Sequence, residues 1–301
     1  MSMRVLLTGG TGFIGREIVF KLIERGDIPV IVTRNAGSTK EMFGSKVEVE
    51  SWDSLRSGDA LFKVEKVINL AGAPIAGKRW TEGYKNEVYE SRVTTTRSLV
   101  VAMGLAEKPP SALVSASAVG YYGSSERPGF SESSPPGDDF LAKLCVDWEI
   151  EAQKAAGFGS RVAIIRSGVA LGPGAGALSK IADNFHRHIG GTVGSGDQWV
   201  SWIDIEDLVN LYMYALDNDD VSGTLNGTSP APVKMRTLTD KVGEILGRKS
   251  WIDAPPFVLK MLFKEGADVL LEGQHVLPKR TIEQGFDIQN RSLEQTLRKY
   301  L

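Results

Sequence analysis

The sequence predicts an α/β fold: a doubly wound parallel sheet followed by a smaller C-terminal lobe. Three observations carry the prediction. Short apolar runs alternate with amphipathic stretches through the first half of the chain. The first run passes through a cluster of glycines straight into a helical pattern. Small residues close the fourth run, as they do where a parallel strand ends beside a bound ligand.

Composition narrows the field before any motif is read. The 301 residues carry 35 Lys+Arg against 37 Asp+Glu, so no basic surface for a nucleic-acid partner is expected. One cysteine excludes an intrachain disulfide, and with three histidines it cannot supply the usual ligands of a zinc cluster, so no metal is expected. Met1-Ser2-Met3-Arg4 leads directly into a strand pattern without the features of a signal peptide. The longest apolar runs fall far short of the roughly 20 residues that span a bilayer. No membrane partner is expected, and the location expected is cytoplasmic.

Arg4–Thr8 reads as the first buried strand, followed at once by Gly9-Gly10-Thr11-Gly12-Phe13-Ile14-Gly15. Ile14, Ile18, Val19, Leu22 and Ile23 then recur at helical spacing until Arg25-Gly26-Asp27. A strand, a glycine turn and a helix in register form the context of a dinucleotide-binding fingerprint. Glycine lets the backbone approach a pyrophosphate with no Cβ in the way. The helix N-terminus offers its N–H groups and positive dipole end to the phosphates. Gly9, Thr11, Gly12, Phe13, Ile14 and Gly15 are therefore the first candidate cofactor-binding residues, against the alternative of a purely structural turn.

Pro29-Val30-Ile31-Val32-Thr33-Arg34 reads as the second strand. An acid at this strand's end holds the ribose 2′-OH of NAD, whereas an arginine suits a 2′-phosphate. Here the end is Thr33-Arg34-Asn35, and the nearest acid, Asp27, precedes the strand. Thr33 and Arg34 thus point to NADP(H) as the cofactor; an ordinary exposed loop arginine is the bland alternative.

Val47–Glu50 and Lys66–Leu70 read as the third and fourth strands. The fourth runs into Asn69-Leu70-Ala71-Gly72-Ala73, so the backbone of Leu70, Ala71 and Gly72 is expected to line the cofactor ribose. One long helix, about 82–107, follows and is stopped by Pro109-Pro110. Ala112–Ser115 is the fifth strand, with Ser115 counted among the cofactor-binding residues, and Val162–Arg166 is the sixth. Alternation of this kind implies right-handed crossovers and a Rossmann-type sheet. Arg92, on the long helix, and Arg166, at the end of the sixth strand, are expected at the cofactor crevice. Glu87 is expected to orient Arg92 or touch the cofactor, a solvated pair being the alternative.

These residues carry a resemblance. Thr8-Gly9-x-x-Gly12-x-x-Gly15, Asn69-Leu70-Ala71-Gly72, and Ser115-Ala116-Ser117 before Tyr121-Tyr122-Gly123 resemble an extended short-chain dehydrogenase/reductase. Pro135-Pro136-Gly137, Arg166-Ser167-Gly168-Val169, Trp202-Ile203-Asp204 and Leu225-Asn226-Gly227 extend the likeness along the whole chain. The chain is most similar to the atypical subgroup of epimerase family proteins, of the sugar-nucleotide epimerase type. The resemblance implies NADP(H) chemistry on a carbonyl or alcohol substrate.

The departure from that family is as informative as the match. The resemblance implies a relay in which a serine polarises the substrate carbonyl and a tyrosine acts as acid/base. A lysine four residues after the tyrosine, on the same helix face, lowers its pKa. The seven tyrosines are Tyr84, Tyr89, Tyr121, Tyr122, Tyr212, Tyr214 and Tyr300, and none has a lysine four positions on. The expected helix is present from Asp139 to Glu149, but Leu141 stands at the tyrosine position and Cys145 at the lysine position. Lys143 does not substitute, because two residues along a helix is about 200° around it. Arg92 stands where many relatives carry an asparagine.

Three residues remain as candidates for catalysis. Ser117 is expected to hold a substrate oxygen. Cys145 is a thiol that a cation such as Arg92 would acidify, or else a small buried hydrophobe. Tyr122, like Tyr121, offers a phenol just beyond the fifth strand, or simply packs.

From about Gly172 the composition changes. Gly172-Pro173-Gly174-Ala175-Gly176 and Gly190-Gly191-Thr192-Val193-Gly194-Ser195-Gly196 read as loops over a ligand, with Trp199 and Trp202 as stacking or core residues. The domain reading is an NADP(H)-binding unit over 1–170, with strands returning from the second half, and a substrate-side lobe over 171–301. The resemblance implies a homodimer through helices at about 82–107 and 140–157. Two functions stay open: an oxidoreductase or epimerase-like enzyme on an unidentified small-molecule substrate, or an NADP(H)-binding sensor or scaffold without turnover.

Overall fold

The computed structural model describes residues 2–124, 128–248 and 254–301. In the first half, strands and helices alternate: β1 (Arg4–Thr8), α1 (Phe13–Arg25), β2 (Ile28–Val32), α2 (Ala36–Phe43), β3 (Glu48–Glu50), α3 (Trp52–Ser57), β4 (Lys66–Asn69), α4 (Glu82–Tyr89), α5 (Thr95–Leu105) and β5 (Ala112–Ala118). After these come β6 (Pro128–Phe130), α6 (Phe140–Gln153), β7 (Arg161–Ser167), β8 (Val169–Leu171), α7 (Gly176–His186), β9 (Trp199–Val200), β10 (Trp202–Asp204), α8 (Ile205–Asp217) and β11 (Gly223–Gly227). The chain ends with β12 (Val233–Lys234), α9 (Met235–Ile245), α10 (Pro256–Phe263), α11 (Asp268–Leu271), β13 (His275–Val276), α12 (Lys279–Glu283) and α13 (Leu293–Tyr300).

The main sheet has seven strands in the order β11-β7-β5-β4-β1-β2-β3, all parallel. Strand order reverses between β1 and β4, so the crevice at their carboxyl ends is the place where such a sheet takes a ligand. Both faces are covered. Ile18, Val19 and Leu22 of α1 pack with Leu208, Leu211 and Tyr212 of α8 on one side. Leu99, Val100 and Met103 of α5 pack with Leu55 and Ala152 on the other. Leu6, Val67, Leu113 and Ile164 are essentially inaccessible, which explains why the strands read as continuous apolar runs rather than alternating ones. Each such side chain contributes roughly 1.5–3 kcal/mol on burial.

Three differences from the sequence reading bear on the site, besides a second strand that ends at Val32, before Thr33 and Arg34. β5 extends three residues past Ser115 to Ala118, so Ser117 lies inside the strand and pairs in register with Arg166 of β7. The expected single helix over 82–107 is α4 and α5 joined by a π-helical turn, Glu90–Thr94, which holds Arg92. Such turns insert an extra residue and re-aim the side chains they carry. β6 intervenes before the expected sixth strand and pairs in parallel with β13, nearly 150 positions later, by His275 against Pro128. β11, from the second half, completes the main sheet beside β7. A smaller cluster around Trp202, Leu178, Phe185, Leu238 and Leu297 forms the core of the C-terminal elements. Among the described residues, no helix is long and apolar enough to cross a membrane.

Candidate active site

The glycine turn after β1 is built for close approach. Gly9 has φ +69°, and a Cβ there would lie 2.7 Å from the Leu70 carbonyl carbon and oxygen. A Cβ on Gly15 would collide with the Gly9 carbonyl oxygen, so α1 can start this close to the turn only with glycine there. Gly12 is the N-cap of α1. It supplies no side-chain cap, and the first turn holds no acid. The N–H groups of Phe13 and Ile14 and the positive end of the helix therefore remain available to an anion. Thr11 and Gly12 form the exposed rim of this turn. The fit is that of a dinucleotide pyrophosphate: the cradle is one that side chains would fill. Phe13 has a further role, its ring lying against Gly172 and Gly176 of the β8–α7 loop. Arg16 fixes that loop by donating to the Pro173 carbonyl at 3.3 Å.

The end of β4 is positioned by groups that sequence reasoning did not single out. Thr8 Oγ1 accepts from the N–H groups of both Leu70 and Ala71 at 3.2 Å, and donates to Asn69 Oδ1 at 2.6 Å. Asn69 Nδ2 donates onward to Thr96 Oγ1 at 2.8 Å and Ser115 Oγ at 3.1 Å. This buried chain sets the Leu70–Gly72 backbone beside the glycine turn. It also corrects the expectation for Ser115. Its side chain is fully buried and accepts from Asn69 Nδ2, so any contact with a cofactor falls to its backbone.

At the end of β2, Arg34 is exposed and makes no ion pair among the described residues. Thr33 Oγ1 accepts from Asn35 N at 3.1 Å, and Asn35 Oδ1 caps α2 through Ser38 N at 3.1 Å. Asp27, the acid before the strand, is occupied at the opposite edge by Met3 N at 2.9 Å. The acid on the neighbouring strand end, Glu50, accepts from Ser54 Oγ at 2.6 Å, and among the described residues it makes no ion pair with Arg34.

Beyond β5 the structure rearranges the expected roles. Ser117 Oγ donates to Glu149 Oε1 at 2.6 Å. Arg166 grips the same carboxylate through Nε and Nη2, both at 2.8 Å, and donates from Nη1 to the Tyr122 hydroxyl at 3.0 Å. The Tyr122 hydroxyl donates to Asn226 Oδ1 at 2.6 Å. The guanidinium also lies 3.2 Å from the centroid of the Tyr121 ring. One buried polar chain therefore links β5, α6, β7 and β11. Arg166 is 4% exposed, with both edges committed, which corrects its assignment as a cofactor ligand. Ser117 is 4% exposed with its proton given to Glu149, so it is not free to donate to a substrate oxygen.

Neither of the other expected relay groups is suited to the task. Burial pushes the Cys145 thiol up to about 12, and Arg92 is the smallest influence lowering it. Its Sγ faces the Ala118 carbonyl at 3.8 Å. Cys145 is a packed thiol, which corrects its reading as a proton relay. Burial likewise pushes Tyr122 up to about 12, although Arg166 and Asn226 act in the other direction. Leu141, at the tyrosine position, packs against the aromatic cluster of Trp80, Tyr84 and Trp148. Trp202 is a core residue donating from Nε1 to the Ala231 carbonyl, while Trp199 stacks edge-on against His275 at 4.4 Å.

Arg92 is held over the end of β4. Its Nη2 donates to the Ala73 carbonyl at 2.9 Å and its Nη1 to the Val88 carbonyl at 3.2 Å. A Cβ on Gly72 would lie 2.9 Å from Cζ, so the guanidinium needs that glycine. Glu87 does not join it. This acid is exposed and faces Lys78 at 4.0 Å.

Comparisons with known proteins place this geometry. Residues 5–226 match the model of the NAD dependent epimerase/dehydratase family, and residues 254–300 match a domain of unknown function, DUF1731. The epimerase family protein SDR39U1 homolog, chloroplastic, of Arabidopsis thaliana is 42% identical, over 99% of this chain and 86% of its own. The epimerase family protein YfhF of Bacillus subtilis (strain 168) is 36% identical, over 97% of this chain and 96% of its own. The crystal structure of human epimerase family protein SDR39U1 (isoform2) with NADPH superposes with a TM-score of 0.89. It shares 37% identity and covers 99% of this chain and 98% of that one.

Proposed function

The chain belongs to the NAD dependent epimerase/dehydratase family, and from that premise we propose that it is an NADP(H)-dependent oxidoreductase or epimerase-like enzyme acting on a carbonyl or alcohol substrate. The observation that carries the cofactor assignment is the glycine cradle at Gly9, Gly12 and Gly15 joined to the exposed Arg34, with no acid of its own strand, at the end of β2. The NADPH bound to the human SDR39U1 structure supports the same reading. The N–H groups at the start of α1 hold the pyrophosphate, the backbone of Leu70, Ala71 and Gly72 lines the ribose, and Thr33 and Arg34 receive the 2′-phosphate.

When bound, NADPH supplies a hydride from its nicotinamide ring to a carbonyl carbon. The protein's share is orientation. Ser117, Glu149, Arg166 and Tyr122 fix the ends of β5 and β7, and solvent delivers the proton to the substrate oxygen. Without a positioned acid the reaction forgoes the 10²–10⁴-fold typical of such catalysis, so turnover is slow, roughly by that factor.

The commitment of Ser117, Cys145 and Tyr122 to buried contacts favours a second reading, an NADP(H)-binding sensor or scaffold. Incubating the purified chain with NADPH and a panel of aldehydes, ketones and 2-oxo acids separates the two. Substrate-dependent loss of NADPH absorbance supports the enzyme; tight NADPH binding with no loss across the panel supports the sensor.

We also propose that the chain forms a homodimer through α5 and α6. Val101, Leu105, Ile150 and Phe158 are between 44% and 68% exposed on these helices and the turn after α6, an apolar surface that a second copy would cover.

A further inference from the structure

A largely buried guanidinium normally faces a carboxylate, because an unpaired charge away from water is costly. Arg166 obeys this rule with Glu149. Arg92, half-buried, has no such partner: among the described residues it makes no ion pair, and its hydrogen bonds go to the Ala73 and Val88 carbonyls and, at 3.5 Å, to Ser91 Oγ. Among the described residues its Nε donates to no partner, and Nη2 donates only to the Ala73 carbonyl. They belong to the side-on edge by which Arg166 grips both oxygens of Glu149.

The surroundings fix where this edge acts. The guanidinium lies against Gly72 and Ala73 at the end of β4, and 5.4 Å from the Trp148 ring. Burial pulls Arg92 below the usual arginine value, with only the Cys145 thiol and the Tyr84 phenol acting against it, so no acid compensates the charge. Arg92 sits in the π-helical turn Glu90–Thr94, and its guanidinium reaches the Ala73 carbonyl just past the end of β4.

We infer that Arg92 receives a carboxylate of the substrate, and that the substrate class is an acid bearing its carboxylate next to the reacting carbonyl or alcohol carbon. This rests on the enzyme reading above, in which NADPH reduces a carbonyl carbon and the Leu70–Gly72 backbone beside Arg92 lines the cofactor ribose. A planar two-oxygen anion matches the open edge of the guanidinium, whereas a neutral ketone leaves the charge uncompensated.

The test uses the full chain saturated with NADPH and titrated calorimetrically with oxamate, with its neutral counterpart oxamide, and with inorganic phosphate. Oxamate is expected to bind at least tenfold tighter than oxamide. Arg92→Met is expected to lose at least tenfold in oxamate affinity, and Arg92→Lys to retain part of it, while NADPH affinity changes by less than tenfold in either. Equal binding of oxamate and oxamide, no binding of either, or phosphate binding tighter than oxamate would overturn the assignment. So would a tenfold loss of NADPH affinity in Arg92→Met, which would give the guanidinium to the cofactor. Failure of the unmodified chain to bind NADPH sinks the enzyme reading itself, and is seen before any oxamate is added.

Discussion

Ser117 Oγ lies 2.6 Å from Glu149 Oε1, and this bond joins a strand-end serine to a helix carboxylate already held by Arg166. In the extended dehydrogenases that the sequence resembles, a serine in this place serves the substrate. Here it completes the hydrogen bonding of a buried ion pair, so its loss is felt first in stability. Low-dielectric surroundings make such a chain rigid when complete and costly when broken.

Breaking the pair from one side leaves a buried charge alone. Arg166→Met is expected to destabilise the fold by about 3–5 kcal/mol, measured by urea unfolding. The double variant Arg166→Met/Glu149→Leu is expected to recover part of that loss. A single variant as stable as the parent would show that the pair is solvated in solution.

The buried acids set the alkaline limit of stability. Cys145 moves from 9.0 to about 12 on folding and Tyr122 from 10.0 to about 12. In both cases the folded state keeps a proton that the unfolded state releases. Their contribution is complete below pH 9 for the thiol and pH 10 for the phenol, and is lost as pH rises toward about 12. The expected slope is about 1.4 kcal/mol per pH unit for each group. Denaturation followed between about pH 9 and 11 should show the decline, and Cys145→Ala should flatten its lower part. A stability that stays level through this range would contradict the burial of both groups.

Much of this site was legible in the sequence, and the illegible part has a common cause. The strand, glycine turn and helix over Arg4–Arg25 declare themselves because each depends on residues adjacent in the chain. The missing tyrosine and lysine were equally plain, since helical spacing is a local rule. The pairing of Arg166 with Glu149 joins elements that meet only when β7 lies beside β5 with α6 packed over them, and no periodicity announces it. The π-helical turn Glu90–Thr94, which contains Arg92, adds a residue to the helix, which a 3.6-residue period conceals. Asn69 and Thr8 were visible as polar residues at strand ends, and their burial was the one clue to the chain they form.

The glycine cradle makes a steric prediction. In Gly15→Ala the new methyl meets the Gly9 carbonyl, so either the turn or α1 must shift. Overpacking of this kind costs about 1–3 kcal/mol, and the displaced N–H groups should weaken NADPH binding at least tenfold. Fluorescence titration with NADPH reads the second effect separately from thermal unfolding. Undiminished affinity would remove the turn from the cofactor site.

Assembly is open to a direct check. Light scattering on the purified chain is expected to give twice the monomer mass. Val101→Glu combined with Leu105→Glu, both on the exposed face of α5, is expected to halve it. A monomeric parent would leave that apolar face without a second copy to cover it.

The most direct test is the ratio of NADPH to NADH affinity in the unmodified chain and in Arg34→Ala. The unmodified chain should prefer NADPH, and the variant should lose at least tenfold of that preference with NADH affinity unchanged. That is the loss expected when a charge-assisted contact to the 2′-phosphate, worth about 1.5–3 kcal/mol, is removed. An unchanged ratio, or no affinity for either dinucleotide, would contradict a phosphorylated cofactor lying across the ends of β1, β2 and β4.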